Sequence, residues 1–187
     1  RNMESYGILD TMGLTSRIVL DANIYTMNNR AEAFWMKKGI LGDTVPLELN
    51  AKELVHRNNK NSELTVYGYT PMMVSVQCVQ KTMDHCNHAC VQYVLKDRYQ
   101  KEFRGVCSCE FCYNTIYNTL PTSLLKEKEK AEKLGVKAYR LSFTTETQQE
   151  TEKIVRAFVD VYLRGQKPDG QMQTEETTKG HFQRGVE

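Results

Sequence analysis

The residues of this chain best suited to chemistry are its cysteines, because all six lie in one short stretch and none lies elsewhere. In chain order they are Cys78, Cys86, Cys90, Cys107, Cys109 and Cys112. A Cys-x2-Cys pair places two thiolates on one turn, and two groups of thiols about 20 residues apart can complete a tetrahedral Zn²⁺ site. Four thiolates on short loops equally suit an iron–sulfur cluster. The spacing fits neither a C2H2 zinc finger nor the bacterial ferredoxin motif, so the identity of the metal stays open.

Metal binding, for which His85 and His88 could supply further ligands, is one of three interpretations of these cysteines. Reduced cysteines can instead pack as small hydrophobic side chains, and neighbouring thiols can form redox disulfides. The polar start of the chain contains no signal peptide, so we expect the protein in the reducing cytoplasm. Clustered thiols in that compartment more often bind metals than form structural disulfides.

The composition indicates an ordinary globular domain without a dominant charge. Of 187 residues, 40% are hydrophobic and 26% are charged, and the formal net charge is only +2. Such a balance creates no overall field that would attract nucleic acid or a membrane surface. No apolar run approaches the roughly 20 residues that a membrane-spanning helix needs. We therefore expect no membrane partner.

Four short apolar runs read as buried parallel strands, because they are rich in Val, Ile, Leu and Tyr and mostly lack alternation. They are "IVLDA" at 18–22, "VPLEL" at 45–49, "LTVYG" at 64–68 and "YRLSF" at 139–143. Helical patterns follow the first, second and fourth runs, with Gly39 as a helix stop and Asn50 as an N-cap. Alternating strands and helices predict an α/β fold with a parallel sheet.

About four βα units make half of an eight-stranded barrel. We therefore expect residues 1–165 to form the C-terminal half of a (β/α)8 TIM-like barrel. The chain begins with Arg1 rather than Met, which indicates a fragment or a processed product. The exposed sheet edges of such a half would need cover, and we expect it from a missing N-terminal half or from a second copy.

A long insertion interrupts the third unit. Residues 70–121 form a Cys-rich insertion in which "YVLKDRYQKEFRGV" predicts a β-hairpin that turns near residues 99–101. The mixed-charge segment "SLLKEKEKAEKLG" then predicts a surface helix before the fourth strand. Residues 166–187 form a polar tail whose closing "GHFQRGVE" could return to the mouth of the barrel.

Charged side chains at the ends of the strands are the candidate catalytic residues, because barrels build their sites on this face. They include Asp21 at the end of the first strand and Glu48 within the second, where an unpaired carboxylate would be costly. Arg140 in the fourth strand could pair with Glu48. His181 of the tail could close over the same site.

Long ordered blocks of the chain resemble peptidase family U-thirty-two, the collagenase-like peptidases. The blocks are "LDANIYTMNNRA", "PLELNAKEL", "VYGYTPMMVSVQC", "LKDRYQKEF", "CEFCYNTIYN", "YRLSFTTE" and "TKGHFQRGVE". The resemblance covers nearly the whole chain and corresponds to the C-terminal part of such a protein. It implies proteolysis, of unknown catalytic type, on a peptide substrate.

Several members of that family are instead similar to oxygen-independent hydroxylation factors that act on tRNA or on quinone precursors with a [4Fe–4S] cluster. On this pattern the resemblance implies Cys78, Cys86, Cys109 and Cys112 as ligands, with Cys90 and Cys107 as alternates. The residues contain no "GxSxG" or "HExxH" motif that would support a known peptidase mechanism. A third hypothesis is a non-catalytic module in which Zn²⁺ fastens the insertion.

Overall fold

A computed structural model describes residues 2–84, 86–169 and 176–186 and contains two sheets. The first is a parallel sheet in the order β1-β2-β3-β9. Its strands are β1 (Val19–Leu20), β2 (Gly42–Thr44), β3 (Ser62–Gly68) and β9 (Ala138–Ser142). The short β8 (Thr122–Ser123) runs antiparallel to the end of β3. The predicted parallel α/β sheet is therefore confirmed, whereas its completion to half of a TIM-like barrel stays a prediction.

Helices connect these strands, and local sequence signals define their ends. They are α1 (Met3–Thr11), α2 (Asn29–Lys37), α3 (Ala51–Val55), α5 (Lys128–Lys133) and α6 (Gln148–Phe158). Asn50 begins α3 with a capping box that includes Glu53, as the sequence predicts. Gly39 follows α2 with a φ of 88°, a conformation that ends a helix and favours glycine.

The core lies between the parallel sheet and the helices that pack against it. Buried Leu64 and Val66 from β3 contact a cluster that includes Leu54 of α3 and Phe158 of α6. A smaller cluster around Trp35 packs α2 against β1. Burying such a side chain contributes roughly 1.5–3 kcal/mol to the free energy of folding. The apolar core therefore stabilises the parallel sheet substantially.

A buried polar network fastens the parallel sheet at the start of β3. The guanidinium of Arg57 contacts the carboxylate of Asp43 on β2 and the hydroxyl of Ser62 on β3 at 2.9 Å. Its Nε donates to the carbonyl of Thr26 at 2.8 Å. Because these side chains are buried and bonded to one another, the network fixes β2, β3 and the loop before α2 in one arrangement.

The second strand does not lie where the sequence predicts it. The strand is Gly42–Thr44, and the chain continues through buried Val45 and Pro46 into a half-buried stretch with a turn at residues 47–48. Pro46 lacks the N–H that a strand ladder requires, so pairing stops before it. Glu48 therefore lies in a turn rather than within a strand, which corrects the prediction.

The insertion forms a separate antiparallel sheet in the order β4-β7-β6-β5. Its strands are β4 (Pro71–Ser75), β5 (Gln92–Lys96), β6 (Glu102–Ser108) and β7 (Tyr113–Tyr117). The predicted hairpin is confirmed as β5 and β6, which pair from Gln92↔Val106 to Lys96↔Glu102. A short helix α4 (Val79–Thr82) follows β4. All four strands fall inside the predicted insertion at 70–121.

The tail returns to the parallel sheet through residues 176–186. Thr178 forms a bridge with Thr122, and Phe182 is buried in the main core. Lys179 and Lys130 both pair with the buried Glu127. In the described part of the chain, no helix has the length and apolar character that crossing a membrane requires.

Candidate functional site

Three side chains of the insertion converge as a candidate metal site. The ligand atoms of Cys86, His88 and Cys109 all lie within 4.8 Å of one another. Cys86 and His88 are exposed and belong to the segment after α4, while Cys109 follows β6 and begins a 3-10 turn at Cys109–Phe111. Two soft thiolates and an imidazole form a donor set that suits Zn²⁺ or another thiophilic ion.

Two further thiols contact the backbone of Cys109. The backbone N–H of Cys109 donates to the sulfur of Cys90 at 3.4 Å, and the thiol of Cys112 donates to the carbonyl of Cys109 at 3.6 Å. Cys112 has a φ of 52°, a left-handed conformation that reverses the chain so that its side chain turns back on the 3-10 turn. Both thiols therefore lie next to Cys109 and are the nearest candidates for a fourth ligand.

The first and fourth cysteines form a distinct buried pair. The sulfurs of Cys78 and Cys107 lie 3.8 Å apart, and both residues are buried. The backbone N–H of Lys81 lowers the pKa of the Cys78 thiol. Burial, together with a smaller contribution from the adjacent Cys78, raises the pKa of the Cys107 thiol to about 11. All six cysteines are free thiols in this structure.

The two groups of thiols nonetheless lie close enough to one another to interact electrostatically. Burial raises the pKa of the Cys109 thiol, and nearby thiols, first Cys86 and then Cys112 and Cys90, raise it further by charge repulsion. Of the four ligands that the resemblance implies, the structure gathers Cys86 and Cys109, holds Cys112 beside them and places Cys78 against Cys107. His85 lies outside the described residues, whereas His88 joins the group.

A cleft of about 670 Å³ opens beside the antiparallel sheet of the insertion. One wall is formed by alternate residues of β4 and β7, and the other by loops that follow the parallel strands and by the tail. Three of the four predicted catalytic residues line it together, namely Asp21, Arg140 and His181. The structure thus brings together side chains that are far apart in sequence, as barrel-type site building predicts.

The polar side chains of the cleft have defined partners. The carboxylate of Asp21 accepts from the backbone N–H of Ala22 at 2.9 Å and caps the 3-10 turn Ala22–Ile24. Arg140 donates through Nε to Glu63 at 2.6 Å, so the predicted pairing of Arg140 with Glu48 is wrong. In the register of β3 and β9, Thr65 lies opposite Arg140 and Glu63 lies two residues away on the same face, within reach of the Arg140 side chain.

His181 is held in one tautomer by the tail. Its Nδ1 lies 3.0 Å from the carbonyl oxygen of Gly185. Because a carbonyl can only accept, Nδ1 donates in this contact, and in the neutral ring the free lone pair lies on Nε2. Glu48 does not line the cleft, although Leu47 and Leu49 on either side of it do. Its Oε2 is buried and lacks a hydrogen-bond partner within the described residues.

Two features of this site are missing from the sequence-based prediction. The first is the aromatic and polar wall formed by Tyr113, Thr115 and Tyr117 of β7. Their spacing of two residues is the signal that could have revealed one face of a strand. The second feature is the pair of apolar side chains Met72 and Val74 of β4, which extend the same wall of the cleft.

Comparisons with models of protein families, with curated proteins and with solved structures found no match to this chain.

Proposed function

We propose that this protein is a cysteine-ligated metalloprotein whose metal centre lies beside a cleft that binds a peptide substrate. The convergence of Cys86, His88 and Cys109 carries the proposal. These side chains come from two segments that the β5–β6 hairpin brings together, and within that frame their three ligand atoms lie within 4.8 Å of one another. A shared ion gives that arrangement a physical reason.

The donor set fits a single tetrahedral ion. Zinc–sulfur bonds of about 2.3 Å hold the ligand atoms of a tetrahedral site just under about 4 Å apart, and the three atoms here already lie within 4.8 Å. Cys90 or Cys112 would supply the fourth ligand. A site with four protein ligands is closed, so its role would be to fasten the insertion rather than to activate water.

The reaction in the cleft is assigned from the family resemblance, and we propose peptide hydrolysis. His181 is the best candidate for a general base among the residues of the cleft, because the bond of Nδ1 to Gly185 leaves the lone pair of the neutral ring on Nε2. Asp21 and Arg140 would place charge near the reacting carbonyl. Glu48 lies behind this surface, so we assign it a supporting role.

An iron–sulfur hydroxylation factor for tRNA or a quinone precursor is the second candidate. The observation that favours it is the number of thiols around Cys109, which exceeds the needs of one zinc ion. A [4Fe–4S] cluster binds one thiolate at each iron and holds its ligands farther apart than a single ion does. Small movements of Cys78 and Cys112 toward Cys109 would then be required.

Metal analysis with a visible absorption spectrum, on protein purified without oxygen, tests the proposal. One zinc per chain without colour is the expected result. About four irons with a broad brown absorption that bleaches on reduction would favour the hydroxylation factor. A chain without metal under either preparation would contradict both candidates. Zinc without peptide cleavage would support the non-catalytic module.

Single variants identify the ligands. We expect Cys86→Ser, Cys109→Ser and His88→Ala each to lower the metal content, and Cys78→Ser to retain it. His56→Ala is the matched control, since His56 is an exposed histidine at the end of α3 and far along the chain from the group. Loss of metal in Cys78→Ser with retention in His88→Ala would instead favour the ligand set that the resemblance implies.

A further inference from the structure

Strand β4 is an unprotected edge of the antiparallel sheet. Within the described residues it pairs only with β7, so its other side presents unpaired backbone groups. Sheet edges are normally protected by charges, proline or great shortness. Here Pro71 and a register shift lie at one end, but no charged residue occurs from Met72 to Gln77. Met72 and Val74 are 60% and 66% exposed.

The other outer strand of the same sheet and the outer strands of the parallel sheet do not combine sufficient length, exposed apolar side chains and a lack of charge. β5 is the other outer strand, and its Lys96 forms an ion pair with Glu102 of β6 at 2.9 Å. In the parallel sheet, the outer strand β1 consists of only two residues, and β9, which pairs with β3 alone among the described strands, contains Arg140. An apolar strand edge that remains exposed is a mark of an interaction site.

The exposed edge belongs to the wall of the cleft. Met72 and Val74 on β4 line the cleft together with Tyr113, Thr115 and Tyr117 on β7. In both strands these residues are two positions apart, so they project from the same face of the sheet. A further strand that pairs with β4 would continue this face, and its alternate side chains would enter the cleft opposite His181 and Phe182.

The charges of the cleft favour a polypeptide over a nucleic acid. Binding of a phosphate backbone requires lysine and arginine side chains that neutralise phosphates. The two such residues that line the cleft are already paired, Arg140 with Glu63 and Lys179 with Glu127. The β4 wall contains no cation. An uncharged, extended ligand therefore fits the surface.

We propose that an extended peptide with apolar residues at alternate positions binds as an added strand along the free edge of β4. The backbone of the peptide pairs with β4, and its apolar side chains pack on Met72 and Val74 inside the cleft. This inference rests on the peptide class of the proposed function and adds the mode of binding and the sequence preference. Strand addition of this kind derives affinity from main-chain hydrogen bonds and specificity from alternate side chains.

The test measures binding of a fluorescein-labelled eight-residue peptide of alternating leucine and serine by anisotropy. Two isomers of the peptide carry N-methyl groups, one on the leucines and the other on the serines. In a paired strand the N–H groups of alternate residues face the neighbouring strand. We therefore expect one isomer to bind at least about tenfold more weakly, since the loss of two bonds of about 1 kcal/mol each exceeds a tenfold change. Equal binding of both isomers would overturn the inference.

Three lysine substitutions locate the binding edge. We expect Val74→Lys to weaken binding by at least about tenfold, because the charge would lie within the apolar contact. Val94→Lys is the matched control, since Val94 is 54% exposed on the opposite outer strand of the same sheet. Met73→Lys places the same charge on β4 but on its other face. Equal effects of Val74→Lys and Val94→Lys would also overturn the inference.

Other occupants of the edge have their own signatures. If the wild-type chain sediments as a dimer that Val74→Lys dissociates, the edge is covered by a second copy and the inference is overturned. Binding of single-stranded oligouridine that Val74→Lys abolishes, without binding of the peptide, would overturn it in favour of a nucleic acid.

The outcome is separable from that of the proposed function. Peptide binding with the expected isomer preference, in protein that contains no metal and cleaves nothing, would support the binding mode and contradict the proposed function. If the protein contains metal and cleaves peptides equally well after Val74→Lys, the proposed function is supported and the binding mode along β4 is contradicted.

Discussion

The two sheets of this protein are stabilised by different kinds of buried residue. In the parallel sheet, β3 contributes Leu64, Val66 and Tyr67 to an extensive apolar core. In the antiparallel sheet, the buried positions on the strands are Gly105, Cys107 and Asn114, of which none is a large hydrophobic residue. The first sheet thus resembles an ordinary domain, whereas the second has little apolar burial.

This difference explains why the thiols lie where they do. A small sheet without an apolar core needs another source of stability, and a metal site is one of the few that proteins use. A metal held by Cys86 and Cys109 would therefore connect the segment between α4 and β5 with the turn between β6 and β7. The parallel sheet needs no such fastening.

Metal removal should produce the largest difference between the two sheets. In small zinc domains the ion contributes roughly 10 kcal/mol or more of apparent folding free energy. Treatment with a chelator should therefore abolish hydrogen-exchange protection in β5, β6 and β7 while β3 keeps its protection. The same treatment of Cys86→Ser should change nothing further. If hydrogen-exchange protection in both sheets is the same before and after chelator treatment, the metal does not stabilise the antiparallel sheet and this account is contradicted.

Removal of Arg57 should destabilise the parallel sheet more than any surface change. Arg57→Met leaves the buried carboxylate of Asp43 without its cation, which typically costs about 3–5 kcal/mol. Urea denaturation followed by circular dichroism measures the free energy of unfolding. Lys96→Met is the control, because it removes an exposed ion pair with Glu102 on the antiparallel sheet and should cost less than about 1 kcal/mol. Similar losses in the two variants would contradict this account.

Truncation of a large side chain sharpens the comparison further. Leu54 is 1% exposed and packs in the main core, so Leu54→Ala should lower the free energy of unfolding by about 2–5 kcal/mol. Val94→Ala on β5 should change it by less than about 0.5 kcal/mol, because the side chain is largely exposed. A large loss for Val94→Ala would show that the antiparallel sheet is covered by a partner in solution.

The sequence predicts the parallel sheet well because its signals are local. Continuous apolar runs identify β1, β3 and β9, and caps at Asn50 and Gly39 locate helix ends. The second strand is misplaced because the run at 45–49 is mostly apolar and begins with buried Val45 and Pro46, while Pro46 prevents strand pairing there. Apolar character indicates burial, but a strand also needs hydrogen-bond partners.

The site is less predictable because it depends on pairing between distant segments. Spacing alone indicates a metal site in the insertion but cannot separate Cys78, which contacts Cys107, from Cys86, which lies with His88 and Cys109. That separation follows from the pairing of β6 with β7, which buries Cys107 opposite Asn114. Likewise Arg140 meets Glu63 rather than Glu48 because of the register between β3 and β9.

The smallest expected effect concerns the tail that carries His181. Burial alone would raise the pKa of Glu127, but hydrogen bonds from Lys130 and Lys179 outweigh it and hold the pKa below its ordinary value. A group whose pKa is lower in the folded chain contributes stability above its ordinary pKa and loses it as the pH falls toward the folded value. Lys179→Met should therefore cost less than about 1 kcal/mol at pH 7, since Lys179 is partly exposed.

The pH dependence distinguishes this ion pair from simple loss of packing. The difference in unfolding free energy between wild type and Lys179→Met should be constant from pH 8 to about 5 and should shrink below about pH 4. Urea denaturation across this range measures it, and Lys167→Met is the control from an exposed part of the tail. If Lys179→Met lowers stability equally at pH 3 and pH 7, Lys179 acts through packing and the charge of Glu127 does not hold His181 at the cleft.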